Sequence, residues 1–218
     1  KEIADRITFM KRKIGHDIIP YPRYEEVLQE IDDLRLDGYM ATHTEAQLLR
    51  GPSGVGKSAI VKKFAHVHEA KPTDDGWSRP VVVATAGKGL TKPLAEALLF
   101  ALGDDAPSRG TENEMMRRAE GHLREQGTQL VIFDEVQDAM RGDLHEQADF
   151  YKRVLNFEIC PVLLVGAPHS IELLRANEYL RGRSRPTIDI DGFNWFDPYQ
   201  KKIFGRILKT IQDRMLQN

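Results

Sequence analysis

Gly51-Pro52-Ser53-Gly54-Val55-Gly56-Lys57-Ser58 satisfies G-x-x-x-x-G-K-[ST] at every fixed position. Glycine lets the backbone turn tightly and approach an anion. Successive main-chain N–H groups then point inward and cradle phosphate oxygens. The positive end of a helix starting near Lys57 adds to that field. In this pattern Lys57 reaches the β- and γ-phosphates and Ser58 holds Mg²⁺. The nucleotide-binding set is Gly51, Pro52, Ser53, Gly54, Val55, Gly56, Lys57, Ser58 and Ala59.

The flanks agree with this reading. Ala46-Gln47-Leu48-Leu49-Arg50 is short and apolar enough for a strand, and Ile60, Val61, Phe64 and Ala65 recur at helical spacing. Downstream, Pro80–Thr85, Gln129–Asp134, Cys160–Val165 and Thr187–Ile190 read as further strands. The run Val81-Val82-Val83 is that of a buried parallel strand. Between them, Pro93–Leu102, Thr111–Gln126 and Leu144–Asn156 read as helices, with Thr111 and Glu114 forming a capping box at the start of the second. Strands separated by helices predict an α/β fold, a five-stranded parallel sheet covered on both faces. Lys71–Arg79 reads as a loop, and Arg175, Arg181, Arg183 and Arg185 lie just before the fifth strand. Residues 1–17 read as a helical extension with a basic run, Lys11-Arg12-Lys13, and 18–196 as the core. Pro20 and Pro22 hold the segment before the first core helix, Arg23–Leu36, extended. From Asp197 to the end an amphipathic helix is expected.

Val131-Ile132-Phe133-Asp134-Glu135 is an apolar strand that ends in two carboxylates. The C-terminal ends of parallel strands face the ligand crevice. Asp134 there would hold Mg²⁺, and Glu135 would activate a water for attack on the γ-phosphate. A water-activating carboxylate favours hydrolysis over phosphoryl transfer to a metabolite. A P-loop small-molecule kinase would also need a closed acceptor pocket, which no stretch indicates. Among the arginines, Arg183 and Arg185 lie nearest the fifth strand and are the candidates for an arginine finger acting on a neighbouring subunit's nucleotide.

Composition bounds the rest. The 218 residues are 41% hydrophobic and 29% charged, which fits one globular core. No apolar run reaches the roughly 20 residues a membrane span needs, and no signal peptide is visible. The single cysteine, Cys160, excludes an intrachain disulfide or a cysteine metal cluster and fits a reducing cytoplasm. A net charge of −2 makes any nucleic-acid surface a local patch. The chain begins at Lys1, as a fragment or processed form would.

Ile19-Pro20-Tyr21-Pro22-Arg23, Gly51–Ser58, Val131–Asp138, Leu164-Val165-Gly166-Ala167-Pro168 and Leu180–Arg185 together resemble the AAA+ ATPases, and more narrowly the TniB/TnsC family of transposition regulators. The resemblance runs over roughly residues 18–215. It implies an AAA+ P-loop sheet with a truncated helical lid over 197–218, and ATP with Mg²⁺ as the ligands. It implies assembly into a ring or filament of identical subunits on double-stranded DNA, and recruitment of the transposase and target-selection protein of the same element. A helicase loader is the other AAA+ possibility. By the same resemblance, Ile19 and Pro20 pack against adenine, and Lys88, Thr91 and Lys92 of the loop after the second strand touch the DNA backbone. One position departs from the family's usual Val-Gly-Thr: Ala167 cannot hydrogen-bond through its side chain, so His169 or Ser170 would have to sense the γ-phosphate.

Overall fold

The computed structural model describes residues 19–41, 43–74, 76–85 and 91–216. The expected helix at the N-terminus with its basic run, Ile18, and the glycine loop with Lys88 lie outside those residues. The described chain divides into two compact units: residues 27–190, and residues 19–26 with 191–216.

The larger unit is built on strands that are apolar at almost every position. β1 (Ala46–Arg50), β5 (Leu130–Asp134) and β6 (Val162–Gly166) are buried throughout, save Arg50. Such runs have no polar face to turn to water, so they occupy a sheet covered on both sides. β4 (Val81–Thr85) alternates buried and half-exposed positions as an edge strand does. With β7 (Ile188–Asp189) these form one parallel sheet in the order β4-β5-β6-β1-β7. The five strands and their parallel sense are those read from the sequence, with ends shifted by one or two residues. β7 is held by Ile190 N–H donating to the Arg50 carbonyl at 2.9 Å.

Helices fill the crossovers. α1 (Pro22–Met40) runs four residues past the expected end and buries Val27, Ile31 and Leu34. Its Gly38 lies against Pro161, where a Cβ would meet the ring at 2.5 Å. α2 (Lys57–Val67) follows the P-loop, and α3 (Thr91–Leu102) buries Leu94, Leu98, Leu99 and Leu102. α4 (Glu112–Glu125) begins with the expected capping box: Glu114 N–H donates to the Thr111 hydroxyl at 3.3 Å, and Thr111 N–H to the Glu114 carboxylate at 2.7 Å. Thr111→Ala is expected to cost about 1 kcal/mol of stability, read as a lowered urea midpoint at unchanged m-value.

After β5 the chain makes a short helix, α5 (Val136–Ala139), then α6 (Leu144–Leu155), whose Phe150 and Tyr151 pack edge-on against Phe133 at 5.8 and 5.1 Å. Burial pushes the Tyr151 hydroxyl far above the ordinary tyrosine value, and pushes the Cys160 thiol up to about 12.

One segment differs from expectation, and another had no element assigned. Lys71–Arg79 is not a featureless loop: β2 (Lys71–Thr73) and β3 (Gly76–Ser78) pair antiparallel as a separate exposed ribbon. Lys71-Pro72-Thr73 and Gly76-Trp77-Ser78 are too short to show a readable alternation, and the cue is Gly76, at φ 140°. The arginine segment is helical, as α7 (Ile171–Ala176) and α8 (Glu178–Gly182). Asn177 interrupts them and caps the second, accepting from Leu180 N–H at 3.0 Å. Each piece is too short for a 3.6-residue period to declare itself.

In the smaller unit, α9 (Pro198–Leu216) is capped by Asp197, which accepts from Tyr199 N–H at 2.8 Å. Tyr21 and Phe204 each pack on Phe193, at 5.2 and 5.3 Å. No described helix is long and apolar enough to cross a membrane.

Candidate functional site

The sheet order sets the site. β6 lies between β1 and β5, so the three loops that leave their C-terminal ends meet at one edge of the larger unit. They enclose a cleft of about 230 Å³ lined by P-loop residues Ser53–Ala59 other than Val55, together with Glu135, Gln137 and Ala167.

The P-loop has the backbone its function demands. Gly54 and Gly56 sit at φ 83° and 101°, in the left-handed region that side chains avoid, and open space lies where their Cβ atoms would stand. Gly56 is the N-cap of α2 and no side chain caps that end, so the first N–H groups of the helix face the cleft. Gly51 is tight for another reason: a Cβ there would stand 2.0 Å from the Ile190 carbonyl oxygen. The Lys57 ammonium is buried and donates to the carbonyls of Gly51 and Pro52 at 2.7 and 2.8 Å.

Opposite stand the two carboxylates. Asp134 is 8% exposed, and burial holds its carboxyl above the ordinary aspartate value against the hydrogen bonds from Ser58 and the Glu135 N–H. A buried carboxylate short of compensating charge, beside a serine hydroxyl, is a donor set suited to a hard divalent cation. Among the described residues no cluster of three or more His, Cys, Asp or Glu competes for a metal. Ser58 and Asp134 therefore fit Mg²⁺, and the uncapped α2 end with Lys57 fits a polyphosphate.

Glu135 is the N-cap of α5 at φ 58°, a left-handed conformation that costs a non-glycine residue energy and occurs where its position is dictated. The Ser58 hydroxyl lies 3.4 Å from its Oε1. Its Oε2 accepts from the Gln137 side-chain amide. Gln137 Oε1 in turn accepts from the Ala167 N–H at 3.0 Å. Ala167, which offers no polar side chain, thus enters the site through its main-chain N–H, and Gln137 joins the site beside it. The sole cue to Gln137 was its place two residues after Glu135. His169 is exposed and Ser170 is fully buried against Gly166, and neither lines the cleft.

The remaining candidates lie elsewhere. Arg183 stacks over the Tyr179 ring at 4.5 Å and stands 3.9 Å from the Glu158 carboxylate. Arg185 pairs with Glu45 and Asp37, the latter at 3.1 Å. Neither lines the P-loop cleft. Thr91 and Lys92 belong to the first turn of α3 rather than to a loop. The Thr91 hydroxyl donates to Glu112, and Lys92 is exposed. In the smaller unit Ile19 and Pro20 line a second cleft of about 230 Å³ with Tyr199, Lys202 and Arg206.

Comparisons with solved structures agree on the fold. The Aeropyrum pernix ORC1 protein, solved in complex with DNA, is 17% identical over 91% of this chain and 50% of its own, with a TM-score of 0.60. Cdc6p of Pyrobaculum aerophilum is 18% identical over 90% of this chain and 52% of its own, with a TM-score of 0.61. A Walker-type ATPase of Pyrococcus abyssi is 17% identical over 90% and 62%, with a TM-score of 0.56. The chain spans about half the length of the first two. No curated protein sequence matches it. The α/β sheet is thus the AAA+ P-loop fold. The family described as bacterial TniB protein matches residues 6–188, most of the chain. By that match, and with the P-loop and Glu135 meeting in one cleft, the chain belongs to the TniB family.

Proposed function

We propose that the protein is an ATP-hydrolysing switch that assembles on target double-stranded DNA and recruits or activates a transposase. The observation that carries the hydrolytic part is Glu135, held in a strained backbone position at the rim of the P-loop cleft beside Ser58. In this reading the P-loop amides and Lys57 bind the triphosphate. Lys57 exchanges its bonds to the Gly51 and Pro52 carbonyls for phosphate oxygens. Ser58 and Asp134 would hold Mg²⁺, which would supply charge neutralisation to the triphosphate. Glu135 takes the proton from the attacking water. Supplied in trans, an arginine completes the site. Arg183, held by a ring and one distant carboxylate, leaves its partners more readily than Arg185, which has two carboxylates close by.

The DNA and transposase parts rest on membership of the TniB family. The likeness in fold to an ORC1 protein solved with DNA is compatible with them. The folds of Cdc6p and ORC1 also keep a DNA-loading factor as the second reading. Electron microscopy with ATP and duplex DNA is expected to show rings or filaments, and a protein that stays monomeric with both ligands would remove the switch. A transposase gene beside this one, rather than a replicative helicase gene, separates the two readings. The paired change Lys88→Ala with Lys92→Ala is expected to weaken DNA binding and to flatten its log K–log[salt] slope by about 2, since each phosphate contact contributes about 0.9. An unchanged slope assigns the DNA surface to other residues.

A further inference from the structure

We propose that Gln137 is the positioning residue for Glu135, which it ties to the main chain at Ala167, just past the end of β6. The inference rests on the hydrolytic reading of the cleft and deepens it.

The geometry is specific about the direction of the amide. The Ala167 N–H can only donate, so the Gln137 atom 3.0 Å from it is the oxygen. That leaves the NH₂ group on the other side, where it donates to Glu135 Oε2. The carboxylate is therefore tied through Gln137 to the main chain at the end of β6, two strands' loops joined by one side chain. The other carboxylate oxygen faces the Ser58 hydroxyl. With one donor on each oxygen the carboxylate plane is set, at the lining of the P-loop cleft.

Gly166 makes the bridge possible. A Cβ there would stand 3.0 Å from Gln137 Oε1, 2.8 Å from Val136 Cγ2 and 2.3 Å from Ser170 Oγ. Any larger residue would push α5 away from β6 and lengthen the bond to Ala167. Gln137 is half-buried and lines the cleft with the P-loop. A side chain that served only to pack α5 against β6 would need neither polar end.

Gln137→Met keeps the length and removes both hydrogen bonds. Gln137→Glu keeps the shape and the acceptor for Ala167, and sets a carboxylate against Glu135. Steady-state ATPase assays, with equilibrium binding of a fluorescent ATP analogue and thermal melts, test the pair. Both variants are expected to lose at least tenfold in kcat while KM and nucleotide Kd stay within twofold. Loss of melting temperature with kcat within twofold of wild type would make Gln137 a packing residue and overturn the proposal. A parallel loss of binding and turnover would overturn it too, because a positioning role acts on kcat alone. Wild-type protein that binds no ATP analogue, or binds and never hydrolyses it, would sink the hydrolytic reading and this inference with it. Wild-type turnover that Gln137→Glu leaves untouched would sink only the inference.

Discussion

Glu135→Gln is expected to leave ATP affinity within a few-fold of wild type and to slow turnover by about 10²–10⁴-fold, the usual contribution of a positioned general base. The substitution is isosteric, so the left-handed backbone at φ 58° is strained equally before and after. The one amide oxygen that remains can accept from Gln137, and the NH₂ group then faces the Ser58 hydroxyl, which can accept as well as donate, so the local network survives. What disappears is the capacity to accept a proton from water. Lys57, Ser58 and the P-loop amides are untouched, and binding therefore persists. Equilibrium binding and single-turnover hydrolysis on the same preparation separate the two effects. Turnover within threefold of wild type would assign the base to another group.

Phe133→Ala is expected to cost about 3–5 kcal/mol, as emptying a fully buried aromatic site does. At about 2–4 °C per kcal/mol for a chain of this size, the melting temperature falls by about 10 °C. Phe133 is completely buried in β5 and takes the edges of Phe150 and Tyr151, whose own rings meet at 5.5 Å. Three rings in mutual edge contact leave no small side chain free to collapse into the gap. The cavity also lies immediately before Asp134, so residual activity is expected to fall with stability. Calorimetric melts check the first effect. A shift under about 3 °C would mean that α6 closes onto the sheet, and the triad is then not the anchor of β5.

Most of the sheet was legible because its strands are apolar without interruption. Val81–Thr85, Leu130–Asp134 and Val162–Gly166 each sit between helices or turns, and no other element accommodates such runs. The capping box at Thr111 was legible because both of its members are local. Pieces stabilised only by one another were not. The ribbon β2–β3 has no buried face, and α7 and α8 are each shorter than two helical turns.

The P-loop was determined by the sequence alone, since Gly51–Ser58 carries its glycines, its lysine and its main-chain donors within eight residues. The partners across the cleft were decided by tertiary structure. Only the order β4-β5-β6-β1-β7 brings Glu135 and Ala167 to the P-loop, and only there does Gln137 bridge to an amide 30 residues away. A hydrogen bond between strand ends depends on which strands are neighbours, and neighbourhood in a parallel sheet is set by how the crossover helices pack rather than by any local pattern.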